Sequence, residues 1–304
     1  MSSQKAILVA NATGKQGGGV VRHCLKQNFR VVALVRDASS PAAQELSRLG
    51  AELAQGHFDD TASLLAAMKT VDTAFFHEVQ TADRPADLQR VRNFIQAARQ
   101  SPNVTMMIAS TAAKTGQHES FPRWGPEYPM YAYWLQKHAI EELVRNAGFE
   151  HWTIVRPAHF LQNMLPPVNG ILFPGFKDDL TLRVAYKPET KLAWVDCTDV
   201  GVVAADAMAA PLKLSGRGIE LAVEALTIQE FADKLSQSLG SKVKVHYYSE
   251  EELAEVKKYS RAIPASEWAN EVPGAEAAEA AKEFDMTSVS SFLEKYKDAI
   301  LGKS

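Results

Sequence analysis

Tyr133 and Lys137 stand four residues apart in the run Tyr133-Trp-Leu-Gln-Lys137, a spacing that places a phenol and an ammonium on one face of a helix. Tyrosine in water releases its proton at about pH 10, and a neighbouring ammonium stabilises the phenolate. The pair therefore has the chemistry of a general acid that protonates an anion forming on a substrate. Upstream, Ser110-Thr111 closes the apolar run Val104-Thr-Met-Met-Ile-Ala109, and either hydroxyl offers a second hydrogen bond where negative charge appears. A spacing of four also arises by chance, so its place after the fifth apolar run carries the argument. Three readings stay open: a catalytic Tyr133–Lys137 pair, Lys137 as a ribose anchor beside a Tyr133 that only packs, or neither.

A second constellation lies at the start of the chain. Asn11-Ala-Thr-Gly14-Lys-Gln-Gly17-Gly18-Gly19 follows the first strand-like run and opens a helical pattern. Glycine at 14 lets the backbone approach a pyrophosphate, glycine at 17 lets the helix start close to the strand, and N–H groups at a helix start favour negative charge. Asn11, Thr13, Gly14, Lys15, Gln16 and Gly17 are thus candidate contacts to a dinucleotide. The second run ends Val31-Val-Ala-Leu-Val-Arg36-Asp37. NAD-selecting sites place an acid near this point, whereas a guanidinium forks onto a 2′-phosphate, so Arg36 favours NADP(H), with Lys15 adding charge. The plainer alternative is a surface cation paired with Asp37.

Positioning these groups requires an open parallel sheet. Strands are expected at Lys5–Ala10, Arg30–Arg36, Ala51–Gln55, Val71–Phe76, Asn103–Ala109 and His151–Arg156, separated by helical patterns at Gln16–Gln27, Pro41–Leu49, Asp60–Met68, Asp83–Arg99 and Met130–Asn146. That alternation predicts an α/β Rossmann fold, a doubly wound parallel sheet with helices on both faces. Gly148 falls where a left-handed helix end is expected. Beyond Arg156 the prolines, glycines and large apolar residues of 157–190 read as an irregular pocket wall, and its aromatic and Met-rich part 160–176 as core, a closing lid or both. Leu192–Val195 and Thr198–Met208 read as a strand and helix returning to the sheet, and Ile219–Val223 and Lys242–Tyr247 as strands of a smaller α/β lobe. Capping boxes are expected at Thr227/Glu230 and Ser249/Glu252, and surface helices or connections around Glu271–Lys282 and Thr287–Ile300. The expected domains are 1–156 with about 191–210, and 157–190 with 211–304.

Composition narrows the function classes. The chain has 304 residues, 46% hydrophobic and 23% charged, with a net charge of −3; this is a globular balance with no basic field for nucleic acid. Cys24 and Cys197 form no zinc or disulfide pattern, and His23, His118, His138, His151 and His246 have no ligand spacing, so no metal is expected. No apolar stretch approaches the roughly 20 residues of a membrane span, and the expectation is a cytoplasmic protein. Trp124, Tyr128, Met130 and Tyr131 either border a substrate or clamp the following helix. His159, Phe160 and Met164 lie in the apolar segment, which suggests a hydrophobic small-molecule substrate.

The residues resemble the NmrA-like branch of the atypical short-chain dehydrogenase/reductases over most of the chain. The glycine loop resembles the family's GATGxQGG, Val35-Arg36-Asp37 its strand end, and Gly56-His-Phe-Asp-Asp60 its GDLDD segment. Arg156-Pro-Ala-His-Phe-Leu-Gln-Asn163 resembles RPAxFxxN, and Trp194-Val-Asp-Cys-Thr-Asp-Val-Gly201 the later DVxDVG turn. The resemblance implies an NADP(H) site in a Rossmann lobe, with Phe58 and Asp59 on the adenine side, and a smaller C-terminal lobe. The family holds both reductases and cofactor-sensing regulators acting through protein partners. Here Asn11 replaces the loop's first glycine and His57 an acidic residue. His77-Glu78 replaces the family's hydroxyl position beside the nicotinamide, which makes His77 either a candidate contact to cofactor or substrate or a loop histidine with no role. Several regulators lack a tyrosine where Tyr133 stands, so its presence favours an NADPH-dependent reductase of carbonyls, imines or activated alkenes over a non-catalytic sensor.

Overall fold

The computed structural model describes residues 4–260, 262–272, 274 and 280–303. Its apolar runs form the strands β1 (Ala6–Val9), β2 (Arg30–Val35), β3 (Glu52–Gln55), β4 (Thr73–His77), β5 (Met106–Ser110) and β6 (His151–Pro157). The helices between them are α1 (Lys15–Lys26), α2 (Pro41–Arg48), α3 (Thr61–Met68), α4 (Arg84–Gln100) and α5 (Tyr131–Arg145). β1 to β6 pair in parallel, and every residue of β1 is buried, as expected for a strand covered on both faces. The chain then forms β7 (His159–Phe160), α6 (Val168–Leu172), α7 (Phe176–Asp179), β8 (Thr181–Val184), β9 (Lys191–Val195), α8 (Val200–Ala209), α9 (Pro211–Leu214) and β10 (Arg217–Leu221). With β10 added, the large sheet runs β10-β6-β5-β4-β1-β2-β3. Strand order reverses beside β1, so a crevice opens where the carboxyl ends of β1 and β4 part.

Two glycines weld the first helix to a distant one. A Cβ on Gly19 would stand 2.6 Å from Thr198 Cα, and one on Gly201 would stand 2.4 Å from the Gly19 carbonyl oxygen. Only hydrogen fits at either place, so α1 and α8 pack backbone to backbone. Gly148 takes its left-handed turn with φ 77°.

The remaining elements are β11 (Glu224–Thr227), α10 (Ile228–Leu239), β12 (Lys244–Tyr247), α11 (Glu250–Val256), α12 (Ile263–Glu271), α13 (Ala280–Glu283) and α14 (Val289–Ile300). Both capping boxes form, Thr227 with Glu230 and Ser249 with Glu252. No helix among the described residues is long and apolar enough to cross a membrane.

The chain divides into two compact units. One takes the described residues up to Gly116 with Leu135–Pro157 and Cys197–Glu220; the other takes Gln117–Trp134, Ala158–Asp196 and the described residues from Leu221 onward. Several expected elements fall differently, each for a pairing reason. β9 does not return to the large sheet: it pairs antiparallel with β11 and parallel with β7. β10, expected in the smaller lobe, instead flanks β6. Segment 157–190 holds two strands and two short helices as well as loops, because β7 pairs in parallel with β9 and β8 with β12. β5 starts at Met106 rather than Asn103, since the Val104 N–H turns back to the Ser101 carbonyl. The last helix is no surface element: Val289, Phe292, Leu293 and Ile300 are wholly buried in the second unit's core with Phe231 and Leu235. Of the stretch Glu271–Lys282, positions 273 and 275–279 lie outside the described residues.

Candidate functional site

The glycine loop is built around a left-handed asparagine. Asn11 has φ 53°, a conformation that glycine and, among other residues, asparagine adopt most readily, which explains how it stands in for the loop's first glycine. Its carbonyl accepts from the Gly14 N–H at 2.9 Å. A Cβ on Gly17 would lie 2.3 Å from that same oxygen, so the helix starts this close to the strand only with glycine there. Gly14 caps α1 in extended conformation, no side chain caps the helix, and no acid stands in its first turn. The positive end of the helix is thus left for an anion.

A cavity of about 540 Å³ lies beside this loop, within one unit, at the carboxyl ends of β1, β2 and β4. Seven expected cofactor contacts line it: Asn11, Thr13, Gly14, Arg36, Phe58, Asp59 and His77. Lys15, Gln16, Gly17 and Lys137 do not line it; the first three form the first turn of α1, and Lys137 stands on α5. Arg36 is exposed. The carboxylate of Asp37 is taken instead by Ser39, which donates from its N–H at 2.8 Å and from Oγ at 2.6 Å and holds Asp37 below the usual carboxylate range. No ion pair joins Arg36 to Asp37 among the described residues, which removes the plainer reading of this arginine. Asp59 is paired with Arg90 at 3.1 Å, and Arg90 also reaches Asp87 at 3.0 Å.

His77 closes the far wall. Its Nδ1 lies 3.4 Å from the Glu78 carbonyl oxygen, which favours the ring proton on Nδ1 and leaves Nε2 as an acceptor. Nε2 is buried without a hydrogen-bond partner and lies 3.9 Å from where a Cβ on Gly14 would be. Burial, with the Lys137 ammonium as a further cause, holds the imidazole down to about 4, so it is neutral at ordinary pH.

Next to it, Glu78 joins β4 to α5. Its Oε2 lies 3.0 Å from Lys137 Nζ, with the two side chains 2% and 7% exposed. The other oxygen accepts from Gln136 Nε2, whose own amide oxygen accepts from Arg84 at 2.9 Å. Spacing arguments centred on Lys137 miss Glu78; the available signal is an acid following the all-apolar run Ala74-Phe75-Phe76 at the sheet's ligand edge.

The two expected hydroxyl donors are engaged elsewhere. Ser110 Oγ donates to Gln16 Oε1 at 2.8 Å, tying β5 to the start of α1. Thr111 Oγ1 donates to Glu141 Oε1 at 2.8 Å. Glu141 is fully buried and also accepts from Arg156 Nε at 2.9 Å and Arg145 at 2.5 Å. A buried carboxylate demands such saturation, so Thr111 serves this network rather than a substrate. Tyr133 is half-buried, four residues before Lys137 on α5, with its ring edge-on to Trp134 at 5.0 Å.

Of the expected substrate contacts, Trp124, Tyr128 and His159 enter the second unit's aromatic assembly. Trp124 packs on Tyr128 at 5.4 Å, Phe121 links Tyr128 to Trp134, and Trp134 contacts Trp268, which stacks on His159 at 6.4 Å. Burial raises the Tyr128 phenol to about 12, a poor proton donor, and lowers His159 to about 4. Phe160 is half-buried in β7. Met164 is wholly buried among Leu161, Phe176 and Phe292; of the two readings of this segment, core or closing lid, it takes the core one. Among the described residues no group of three His, Cys, Asp or Glu side chains is placed to hold a metal.

The sequence signature of the NmrA-like family matches residues 3–298. The NAD(P)H azoreductase of Xenophilus azovorans is 30% identical over 241 residues, covering 78% of this chain and 75% of that protein. The NmrA-like family domain-containing oxidoreductase hkm9 of Aspergillus hancockii is 34% identical over 186 residues, 58% of this chain; the match spans about half of that protein, 52%. Among solved structures, the negative transcriptional regulator NmrA in complex with NADP superposes with a TM-score of 0.74 at 20% identity, over 97% of this chain and 95% of that one. That likeness concerns the fold.

Proposed function

The chain belongs to the NmrA-like family and is an NAD(P)-dependent oxidoreductase, and from that premise we propose an NADPH-dependent reductase acting on a carbonyl, imine or activated alkene of a hydrophobic small molecule. The observation that carries the reading is the cavity where a glycine cradle, the uncapped end of α1 and the Arg36 guanidinium meet. When bound, the reduced dinucleotide supplies hydride to an electrophilic carbon. Gly14 and the first turn of α1 hold the pyrophosphate, Arg36 forks onto the 2′-phosphate, and Phe58 and Asp59 flank the adenine. His77 Nε2 accepts from a ribose hydroxyl, and Lys137 orients the nicotinamide ribose.

Tyr133 gives its Oη proton to the substrate atom on which negative charge develops, a contribution of about 10²–10⁴ in rate. Ser110 acts indirectly, by fixing Gln16.

The test is NADPH oxidation with a panel of aldehydes, ketones, quinones and imines, comparing wild type with Tyr133→Phe while cofactor binding is measured separately. Turnover lost in the variant with binding retained is the expected result. Turnover indifferent to the substitution overturns the role of Tyr133, and no turnover with any acceptor overturns the reductase reading.

The engagement of Ser110 and Thr111 with Gln16 and Glu141 favours one alternative, an NADP(H)-sensing regulator acting through a protein partner. That reading requires the partner to bind the two cofactor states with different affinity. Partner capture that depends on NADPH against NADP⁺, without turnover, is its signature.

A further inference from the structure

Glu78 introduces a carboxylate where the resemblance places a hydroxyl beside the nicotinamide, and its side chain is almost completely buried against Lys137. Two buried charges of opposite sign 3.0 Å apart present little net field to a ligand, whereas either one alone would present a full charge in a weakly screened site. Among the described residues, Glu78 is the carboxylate in direct ion-pair contact with Lys137. His77 is held neutral, and Asp59 and Asp87 are both paired with Arg90.

Oxidised and reduced nicotinamide differ by one positive charge on the ring. A lone Lys137 ammonium would therefore repel the oxidised form and leave the neutral reduced form untouched.

We propose that Glu78 is a charge-balancing positioning residue: it holds Lys137 in place and cancels its field, so that the cavity accepts the oxidised and reduced dinucleotide with similar affinity. The inference rests on the NADP(H) reading of this cavity and on its nicotinamide end lying beside Glu78, which lines it and pairs with Lys137. It concerns a position at which this chain departs from the family pattern. Gln136 and Arg84 complete the device, because the chain Arg84–Gln136–Glu78 fixes the carboxylate through the oxygen that Lys137 does not hold.

The test is calorimetric titration of the full chain with NADP⁺ and NADPH separately, without substrate, so that no turnover enters the readout. Glu78→Gln keeps the shape and the hydrogen-bonding oxygen and removes the charge. It is expected to raise the Kd for NADP⁺ about fivefold or more relative to that for NADPH. Lys137→Met leaves the carboxylate alone and is expected to shift the ratio in the opposite direction. The double variant, with neither charge, is expected to return the ratio to within about twofold of wild type. A merely structural role for Glu78 weakens both cofactor forms alike and leaves the double variant no better than the single ones; that pattern overturns the proposal. Should Glu78→Gln fail to fold, the sign of the Lys137→Met shift decides: unchanged or inverted, it sinks the idea. A wild-type chain that binds neither form refutes the NADP(H) reading itself, and the inference with it.

Discussion

Asn11 donates its side-chain amide to the His77 carbonyl at 2.9 Å, so the left-handed turn after β1 is tied to the end of β4 across the crevice. One residue thus meets two requirements. Its backbone takes the φ that the loop's first glycine would take, and its side chain joins two walls of the cavity.

Asn11→Ala is expected to lose both the hydrogen bond and the ease of the left-handed turn, together about 2 kcal/mol of stability. Asn11→Gly keeps the turn and loses only the tie, so it should melt at a higher temperature than Asn11→Ala. Thermal denaturation of the three proteins side by side gives the order. An alanine variant as stable as the glycine one would deny the conformational role.

Gly17→Ala places a methyl group against backbone that has no room for it, 2.3 Å from the Asn11 carbonyl oxygen. The start of α1 must move away from the strand, which displaces the N–H groups proposed to hold the pyrophosphate. NADPH affinity is expected to fall by about tenfold or more, equivalent to roughly 1.4 kcal/mol, as read by titration calorimetry. Unchanged affinity would place the pyrophosphate elsewhere.

Arg36→Ala removes the proposed 2′-phosphate contact alone. The Kd for NADPH should rise by about tenfold or more, in line with the roughly 1.5–3 kcal/mol of a hydrogen bond to a charged group, while the Kd for NADH stays within about twofold. Equal weakening of both cofactors would mean that Arg36 acts on the whole cavity rather than on the phosphate.

His77 and His159 are both held neutral by burial, at about 4. The folded values lie below the unfolded one of about 6.5, so the unfolded chain binds more protons between these limits. Their contribution to stability is present above about pH 6.5 and is lost as pH falls toward 4. Melting temperatures recorded across that window should fall with pH, and less steeply in His77→Asn than in wild type. A slope indifferent to that substitution would exclude His77 as one of its sources.

Much of the first unit is legible in the sequence because its signals are local. The apolar run Ile7-Leu8-Val9, the glycines that follow and the helical spacing after them each specify their own neighbourhood, and the alternation implies the sheet. Arg36 is legible for the same reason, as a cation at the end of a strand. Partners distant in sequence are not. Thr111 reads as a catalytic hydroxyl until Glu141 is found accepting its hydrogen bond, and Lys137 reads as a lone ammonium until Glu78 is found beside it. Segment 157–190 reads as loop because β8 acquires its partner only from β12, some sixty residues later. Met164 reads as pocket and the final helix as surface because nothing in their composition tells which neighbours will cover them.

Gly19 and Gly201 interlock so tightly that the helix beginning at the glycine loop has one side occupied by residues almost two hundred positions downstream. A fragment that stops after β6 contains every recognisable nucleotide motif of the first half yet leaves this notch bare. The amino-terminal half alone is therefore not a minimal coenzyme module: its first helix is completed only when the chain, having built much of another body, comes back.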